Sequence, residues 1–198
     1  MKLVIGLIGG IGSGKSSAAA ALAKLGARVI SGDLLGHEAL RDADIKKQVV
    51  EHWGKRVLDR QGEIDRSRLG AIVFGNPEER RKLEAIVHPY IKRRLAEEID
   101  AAQADRRVKL IVVDAAVMLE VGWSKHCDRI LYVEAPRNLR LKRLAQQRGW
   151  TAKELAAREE AQMPLSEKKA FADAVLNNSG SVEQLQEEIG KLLKRWAN

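Results

Sequence analysis

A glycine-rich loop near the amino terminus constrains the fold of this chain more than any other feature. Residues 6–16 read GLIGGIGSGKS, in which Gly9, Gly14, Lys15 and Ser16 satisfy the pattern Gly-x-x-x-x-Gly-Lys-Ser/Thr. An apolar run at 3–8, LVIGLI, precedes the loop, and an alanine-rich stretch at 17–25 follows it. A strand, this loop and a helix in that order predict a P-loop nucleotide-binding fold.

The residue types in the loop indicate how it would hold a triphosphate. Glycines let consecutive backbone N–H groups turn inward on a phosphate, and the helix N-terminus adds its dipole. Lys15 would reach the β- and γ-phosphates, and Ser16 would ligate Mg²⁺. The alternative is a glycine-rich turn followed by a chance Lys-Ser pair. We expect ATP to be bound by Gly10, Ile11, Gly12, Ser13, Gly14, Lys15, Ser16 and Ser17.

Five short runs rich in β-branched residues predict the strands of an α/β fold. They lie at 3–8, 27–30, 108–114, 129–134 and 173–177, with helical stretches between them. This alternation predicts a three-layer fold around a five-stranded parallel sheet. We expect one domain with a core at 1–33, 106–136 and 170–198, an inserted helical lobe at 34–105 and a basic lid at 137–169. A final amphipathic helix is predicted from Ser181 to Trp196.

Composition bounds the class of partner. The net charge of +8 favours polyanions, whether nucleic acids or phosphate-rich small molecules, and charge alone does not choose between them. Aromatic residues make up only 4% of the chain, which argues against a base-stacking nucleic-acid module. The single cysteine, Cys127, excludes an intramolecular disulfide and fits a reducing cytosol. No apolar window approaches the ~18 residues that would cross a bilayer, and we expect a cytoplasmic protein.

Two carboxylates stand where predicted strands end. Asp33 follows the second strand and is expected to face the phosphate loop, where it could accept a proton from a hydroxyl that attacks the γ-phosphate. The alternative is an N-cap for a helix from Leu34 onward. Asp114 ends the run LIVVD and is expected near Mg²⁺, the alternative being a strand-end cap.

The chain contains no Asn-Lys-x-Asp sequence that would select guanine, and 198 residues leave little room for a motor. These observations favour a small-molecule kinase.

Longer motifs carry a family resemblance. Residues 62–91 read GEIDRSRLGAIVFGNPEERRKLEAIVHPYI, Arg158 and Gln162 are four residues apart, and residues 172–180 read ADAVLNNSG. With the loop and Asp33, these stretches make the chain resemble the dephospho-CoA kinase family, which phosphorylates the ribose 3′-hydroxyl of dephospho-coenzyme A in the last step of coenzyme A biosynthesis. The resemblance implies an adenylate-kinase-like fold with a CoA-binding lobe and a lid. It also implies that Asp33 is the catalytic base.

The resemblance also implies an acceptor site. Asp65, Arg66, His88 and Pro89 would lie in or beside the acceptor lobe and contact the substrate. The alternative for the His88-Pro89 pair is structural, with the proline beginning a helix that the histidine caps. The alternative for Arg66 is an exposed surface arginine.

Other residues are implied on the nucleotide side. Arg140 and Arg143 are three residues apart and share one helix face, so both could point at the same anion. Arg143 matches the family's lid arginine, the alternative being a basic solvated helix. Asn177 and Gly180 would lie near the adenine ring, the alternative being an ordinary turn from strand to helix.

Some positions depart from the family pattern. Ser31 replaces an acidic residue, AVMLE at 116–120 replaces a Pro-Leu-Leu-aromatic-Glu segment, and Gln147 stands where a second lid arginine is usual, with Arg148 one position later.

The rival functions are another P-loop nucleoside or nucleotide kinase and a basic P-loop protein that acts on RNA. The favoured interpretation predicts ATP and Mg²⁺ as cofactors and a small-molecule substrate, dephospho-CoA, rather than a nucleic acid or a membrane. The sequence predicts no oligomeric state.

Overall fold

The computed structural model describes residues 1–73, 75–160 and 162–197. The chain forms two compact units, one made of Met1–Ser31 with Ile99–Asn198 and the other of Gly32–Glu98. In the described part of the chain, no helix combines the length and the apolar character needed to span a bilayer.

A parallel sheet is the centre of the first unit. Its strands are β1 (Val4–Gly9), β2 (Ala27–Ser31), β3 (Leu110–Asp114), β4 (Arg129–Glu134) and β5 (Ala174–Asn177). The order across the sheet is β2-β3-β1-β4-β5, and every neighbouring pair is parallel. The predicted five-stranded parallel sheet is therefore confirmed. Because all strands run the same way, their carboxyl ends lie along one edge, where ligands of such sheets bind.

Helices complete the first unit. They are α1 (Lys15–Lys24), α6 (Arg137–Arg148), α7 (Ala152–Glu159), α8 (Leu165–Ala170) and α9 (Val182–Ala197). Alternate β1 residues Ile5 and Leu7 pack with Leu22 of α1 and Ile189 of α9 in one buried cluster. A β-carbon at Gly6 would lie only 2.6 Å from the sulfur of Met118, so glycine there permits Met118 to pack closely against β1.

The second unit is mainly helical. It contains α2 (Gly32–Ala39), α3 (Ala43–Trp53), α4 (Arg66–Val73) and the part of α5 (Pro77–Ala104) that extends to Glu98. A single antiparallel bridge joins Leu58 to Ile64 among its described residues.

The helix start considered for His88-Pro89 is wrong. The structure places both residues inside the 28-residue helix α5, which begins at Pro77. Asn76 caps this helix, since its Oδ1 atom accepts hydrogen bonds from the backbone N–H groups of Glu78 at 2.9 Å and Glu79 at 3.4 Å. Asn76-Pro77 is thus the pair that combines an N-cap with proline at the first helical position.

Candidate active site

The loop after β1 has a backbone that only glycine adopts readily. Gly9, Gly12 and Gly14 have φ angles of 144°, 77° and 92°, a region that L side chains avoid. Space is also limited, because a β-carbon at Gly9 would lie 2.4 Å from the carbonyl oxygen of Val133. Glycine is therefore required in this loop by the backbone conformation and, at Gly9, also by the neighbouring strand.

Helix α1 begins at the end of this loop, two residues earlier than the alanine-rich stretch predicts. Gly14 occupies its N-cap position without a side-chain cap, and its first turn contains no acidic residue. Such an N-terminus offers backbone donors and a positive dipole end to an anion. Lys15 Nζ donates to the carbonyl oxygens of Gly9 at 3.1 Å and Gly10 at 3.3 Å, so the lysine folds back over its own loop.

Both candidate arginines of α6 contact the loop. Arg140 is 4% exposed, and it pairs with Glu159 while it donates to the carbonyl oxygen of Ile11 at 3.1 Å. Arg143 donates to the carbonyl oxygens of Ser13 at 3.2 Å and Asn178 at 2.8 Å. The charge of Arg140 is balanced by a carboxylate, whereas the two acceptors of Arg143 are neutral.

A small cavity adjoins this corner of the loop. Its volume is about 260 Å³, and its lining comprises Ile11, Arg137, Arg140, Glu159, Gln162, Met163, Pro164 and Leu165. Beyond the cavity, the guanidinium of Arg158 lies 4.1 Å from the ring centre of Trp150. The cavity brings the loop together with the segment that connects α7 to α8.

A buried ion pair holds that segment. Lys168 is 1% exposed, and its Nζ lies 2.9 Å from Glu120 Oε1. The same ammonium donates to the carbonyl oxygen of Ala116 at 3.0 Å and to Gln162 Oε1 at 3.1 Å. Glu120 Oε1 also accepts from the backbone N–H of Met163 at 3.1 Å. The segment 116–120 is therefore tied to the 162–168 segment, a connection that sequence reasoning missed.

The turn after β5 contains another residue that sequence reasoning missed. Asn177 is exposed and accepts a hydrogen bond from the backbone N–H of Ser179 at 3.0 Å, and Gly180 is also exposed. Asn178 is buried, and its Nδ2 donates to the carbonyl oxygen of Ser13 at 2.8 Å. The period of two in a strand could have identified it, because Leu176 is buried and Asn178 follows two positions later.

Asp114 and Ser16 offer oxygen atoms at the same edge of the sheet. Asp114 ends β3 and is in register with Leu7 of β1 and Ser31 of β2, while Ser16 is exposed in the first turn of α1. Within residues 1–73, 75–160 and 162–197, no group of three His, Cys, Asp or Glu side chains could hold a metal ion. One carboxylate and one hydroxyl fit Mg²⁺, which usually keeps several waters and shares its coordination with substrate phosphates.

Asp33 belongs to the second unit. It is the second residue of α2, two positions past the end of β2, rather than the last residue of a strand. His37 lies four positions further along α2, which puts the two on one helix face. Burial lowers the pKa of His37, the positive charge of Arg66 lowers it further, and the negative charge of Asp33 opposes both. These three side chains are therefore electrostatic neighbours, and sequence reasoning missed His37.

The other predicted acceptor residues occupy helix starts and interiors. Asp65 Oδ1 accepts from the backbone N–H groups of Ser67 at 2.9 Å and Arg68 at 3.1 Å, so it caps α4, which begins at Arg66. Burial lowers the pKa of His88 inside α5, with a smaller opposing effect from the negative charge of Glu84.

A five-stranded parallel sheet with this loop after its central strand, and with basic side chains converging on the loop, defines a P-loop kinase. The family model for dephospho-CoA kinase matches residues 3–184, and the chain belongs to this family. The chain is accordingly a kinase of coenzyme A biosynthesis, which acts at the final step of that pathway. The predicted family and function are confirmed.

Two dephospho-CoA kinases and one further solved structure are similar to this chain over nearly their whole length. The dephospho-CoA kinase of Geobacillus kaustophilus is 41% identical over 197 residues, which are 99% of this chain and 98% of that one. Among solved structures, TT1252 from Thermus thermophilus has a TM-score of 0.83 and 34% identity, with 98% and 97% of the two chains covered. The dephospho-CoA kinase from Campylobacter jejuni has a TM-score of 0.72 and 26% identity, with 98% and 96% covered.

Proposed function

We propose that Lys15, Arg143 and Asp33 carry out the transfer of the ATP γ-phosphoryl group to the ribose 3′-hydroxyl of dephospho-CoA. The 3′-oxygen attacks the γ-phosphorus, the bond from that phosphorus to the β–γ bridging oxygen breaks, and ADP leaves. Asp33 accepts the proton of the attacking hydroxyl. The observation that carries this proposal is the loop, which combines a backbone that favours glycine, a helix start without a side-chain cap and a lysine folded back onto the carbonyls of Gly9 and Gly10.

Lys15 changes partners when a triphosphate binds. A hydrogen bond from an ammonium to a phosphate oxygen is shorter and stronger than one to a neutral carbonyl. The β- and γ-phosphates would therefore attract Nζ away from the carbonyls of Gly9 and Gly10. The lysine would then stabilise the charge that moves to the β–γ bridging oxygen in the transition state.

Arg143 supplies a second positive charge to the transferring group. Its two carbonyl partners do not neutralise the guanidinium, whereas Glu159 does neutralise Arg140. We therefore assign the electrostatic role to Arg143 and a bracing role to Arg140. Ser16 and Asp114 would hold Mg²⁺, which supplies charge neutralisation to the β- and γ-phosphates when it is bound.

The acceptor is assigned to the second unit. Asp33, His37 and Arg66 are electrostatic neighbours there, so a hydroxyl-bearing, negatively charged substrate would find a base and the cation of Arg66 together. Asp65 would contribute to the acceptor site by capping α4, the helix that begins at Arg66. His88 and Pro89 lie inside α5, and in this proposal they would stand beside the acceptor.

ADP release with competing acceptors tests the substrate. We expect dephospho-CoA to be phosphorylated far faster than adenosine or AMP, and faster release with either of these would favour another nucleoside or nucleotide kinase. The rival that acts on RNA predicts strongly salt-dependent nucleic-acid binding with little turnover on any of the three acceptors.

Three variants test the assigned roles. Asp33→Asn keeps the shape of the side chain but loses its negative charge, so turnover should fall by roughly 10²–10⁴ while ATP affinity and melting temperature stay close to wild type. Lys15→Ala should lower turnover by at least ~10². Arg143→Ala should lower kcat more than it raises the KM of the acceptor. An active Asp33→Asn enzyme would contradict the base assignment.

We propose a cytoplasmic location, which is supported by the single cysteine and by the apolar windows of the sequence, all too short to cross a bilayer.

A further inference from the structure

Asn178 is a buried polar residue in an exposed turn. Its neighbours Asn177 and Ser179 are exposed, yet Asn178 is 5% exposed. Its backbone N–H donates to the carbonyl oxygen of Glu134 at 2.8 Å, which extends the contact between β4 and β5 by one residue. Because a buried amide without a hydrogen bond costs free energy, the partners of its side chain decide why an asparagine stands here.

The side chain of Asn178 holds the phosphate loop. Its Nδ2 atom donates to the carbonyl oxygen of Ser13 at 2.8 Å, between residues 165 positions apart in the sequence. A β-carbon at Gly14 would lie 2.0 Å from that Nδ2 atom. The glycine before Lys15 therefore serves a second purpose, which is to leave room for the amide of Asn178.

Arg143 contacts both the carbonyl of Ser13 and the backbone of Asn178. Its Nη1 donates to Ser13 O at 3.2 Å, and its Nη2 donates to the backbone oxygen of Asn178 at 2.8 Å. Asn178 consequently touches the loop with its side chain and the lid arginine with its backbone. A displacement of Asn178 would disturb both of them.

The hydrogen bond to the carbonyl of Ser13 also fixes the orientation of the N–H group of Gly14. The described peptide bonds are all trans, so the C=O of Ser13 and the N–H of Gly14 point to opposite sides of one planar group. A carbonyl held on Asn178 therefore turns the N–H of Gly14 away from Asn178. Backbone N–H groups of such loops are the donors that cradle phosphate oxygens.

We infer that Asn178 is a positioning residue for phosphoryl transfer, which fixes the Ser13–Gly14 peptide toward the phosphates and Arg143 against the loop. The inference rests on the proposed function, since it assigns a role in the same nucleotide site. It places a determinant of ATP use in the turn after β5, outside the loop motif.

Asn178→Ala tests this role, with Ser179→Ala in the same turn as the matched control. Misplacing a catalytic donor by about 1 Å costs on the order of 10²-fold in rate. We expect Asn178→Ala to lower kcat/KM for ATP by roughly 10- to 100-fold, with the KM of dephospho-CoA within about twofold of wild type. Ser179→Ala should stay within about twofold in both parameters, because its hydroxyl donates to Asn177 Oδ1 within the turn.

Two further variants keep the test decisive. Asn178→Asp preserves the shape but places a carboxylate oxygen against the carbonyl of Ser13, so it should be at least as impaired as alanine. Asn178→Ser retains a small donor and serves if the alanine variant is unfolded. Each variant is assayed below its own melting temperature, and activity is expressed per folded molecule. A purely structural role predicts normal kcat and normal KM for ATP in every folded variant, and that result would overturn the inference.

A double-mutant cycle with Arg143→Ala adds a second readout. Because the side chains of Asn178 and Arg143 both donate to the carbonyl oxygen of Ser13, the loss from Arg143→Ala should be smaller in the Asn178→Ala background than in wild type. Losses that multiply independently would contradict the link. If wild type itself fails to convert dephospho-CoA, the proposed function is wrong, whereas an active wild type with an equally active Asn178→Ala refutes only the role of Asn178.

Discussion

Replacing Lys168 with methionine would keep the length of a buried side chain but remove its charge and its three hydrogen-bond donors. Lys168 is 1% exposed, and its ammonium group pairs with Glu120 and donates to Gln162 and to the backbone of Ala116 at 2.9–3.1 Å. Methionine fills the same space, so a cavity contributes little to the result. The expected loss comes from the carboxylate of Glu120 and two further acceptors that lose their donor.

The magnitude follows from the burial of both partners. Removing one partner of a buried ion pair typically costs 3–5 kcal/mol, because the other charge stays buried and unpaired. The side chain of Glu120 is 23% exposed and keeps the N–H of Met163 as a donor, so water and that bond offset part of the cost. We expect a loss of about 2–4 kcal/mol, which lowers the melting temperature by roughly 5–15 °C in a domain of this size.

Lys169→Met provides the matched control. Lys169 is adjacent in the chain and pairs with Glu134 at 2.7 Å, but the two side chains are 46% and 44% exposed. Exposed ion pairs contribute little, so its urea unfolding curve should nearly superimpose on that of wild type. In addition, Lys168→Met combined with Glu120→Gln should be less destabilised than the sum of the single variants, since the double variant buries no lone charge. Equal stability of Lys168→Met and Lys169→Met, or strict additivity in the cycle, would refute this reasoning.

Two further predictions concern glycine geometry and pH. Gly9→Ala should destabilise the fold by roughly 2–4 kcal/mol in thermal unfolding, because the φ of 144° and the 2.4 Å distance to the carbonyl oxygen of Val133 both oppose a β-carbon. Gly149 has a φ of 68° but open space around it, so Gly149→Ala should lose only about 1–2 kcal/mol in the same assay. Burial lowers the pKa of His88 below 6.5 in the folded protein. As the pH falls through about 6.5, the unfolded chain therefore binds more protons than the folded one, and the free energy of unfolding decreases. His88→Gln should therefore lose less stability than wild type between pH values of about 7.5 and 5.5 in urea titrations, and equal losses would contradict the lowered pKa.

The parts of the fold that local pattern fixes were predictable from the sequence. Each of the five predicted runs overlaps an observed strand, and the continuously apolar first and third runs became the buried interior strands β1 and β3. The loop was predictable because its glycines and lysine are contiguous. Boundaries were less accurate at Asp33, where α2 begins directly after β2, at Gly32, and leaves no separate cap.

Contacts between distant residues were not predictable in this way. The bond from Asn178 to Ser13 joins positions 165 residues apart, and the pairing of Lys168 with Glu120 depends on how two irregular segments meet. The prediction of a helix start at His88-Pro89 was wrong because a local pattern was misleading there. The pair has the local form of a helix start, but Asn76-Pro77 already begins the helix, and α5 continues through the second proline.

The basic side chains around the loop suggest why it can hold a triphosphate. Lys15, Arg140 and Arg143 all donate to backbone carbonyls of the loop, namely those of Gly9, Gly10, Ile11 and Ser13. In a trans peptide, each carbonyl held by a cation turns the following N–H group the other way. Arg140 and Arg143 would therefore orient the N–H groups that follow Ile11 and Ser13 before a nucleotide binds, which would reduce the reorganisation that binding requires. One of them, Arg140, pairs with Glu159, whereas the carbonyl acceptors of Arg143 leave its charge available to a phosphate. In the proposed reaction, the same residues would shape the loop and supply charge, so a substitution at a bracing position outside the loop motif is expected to lower turnover.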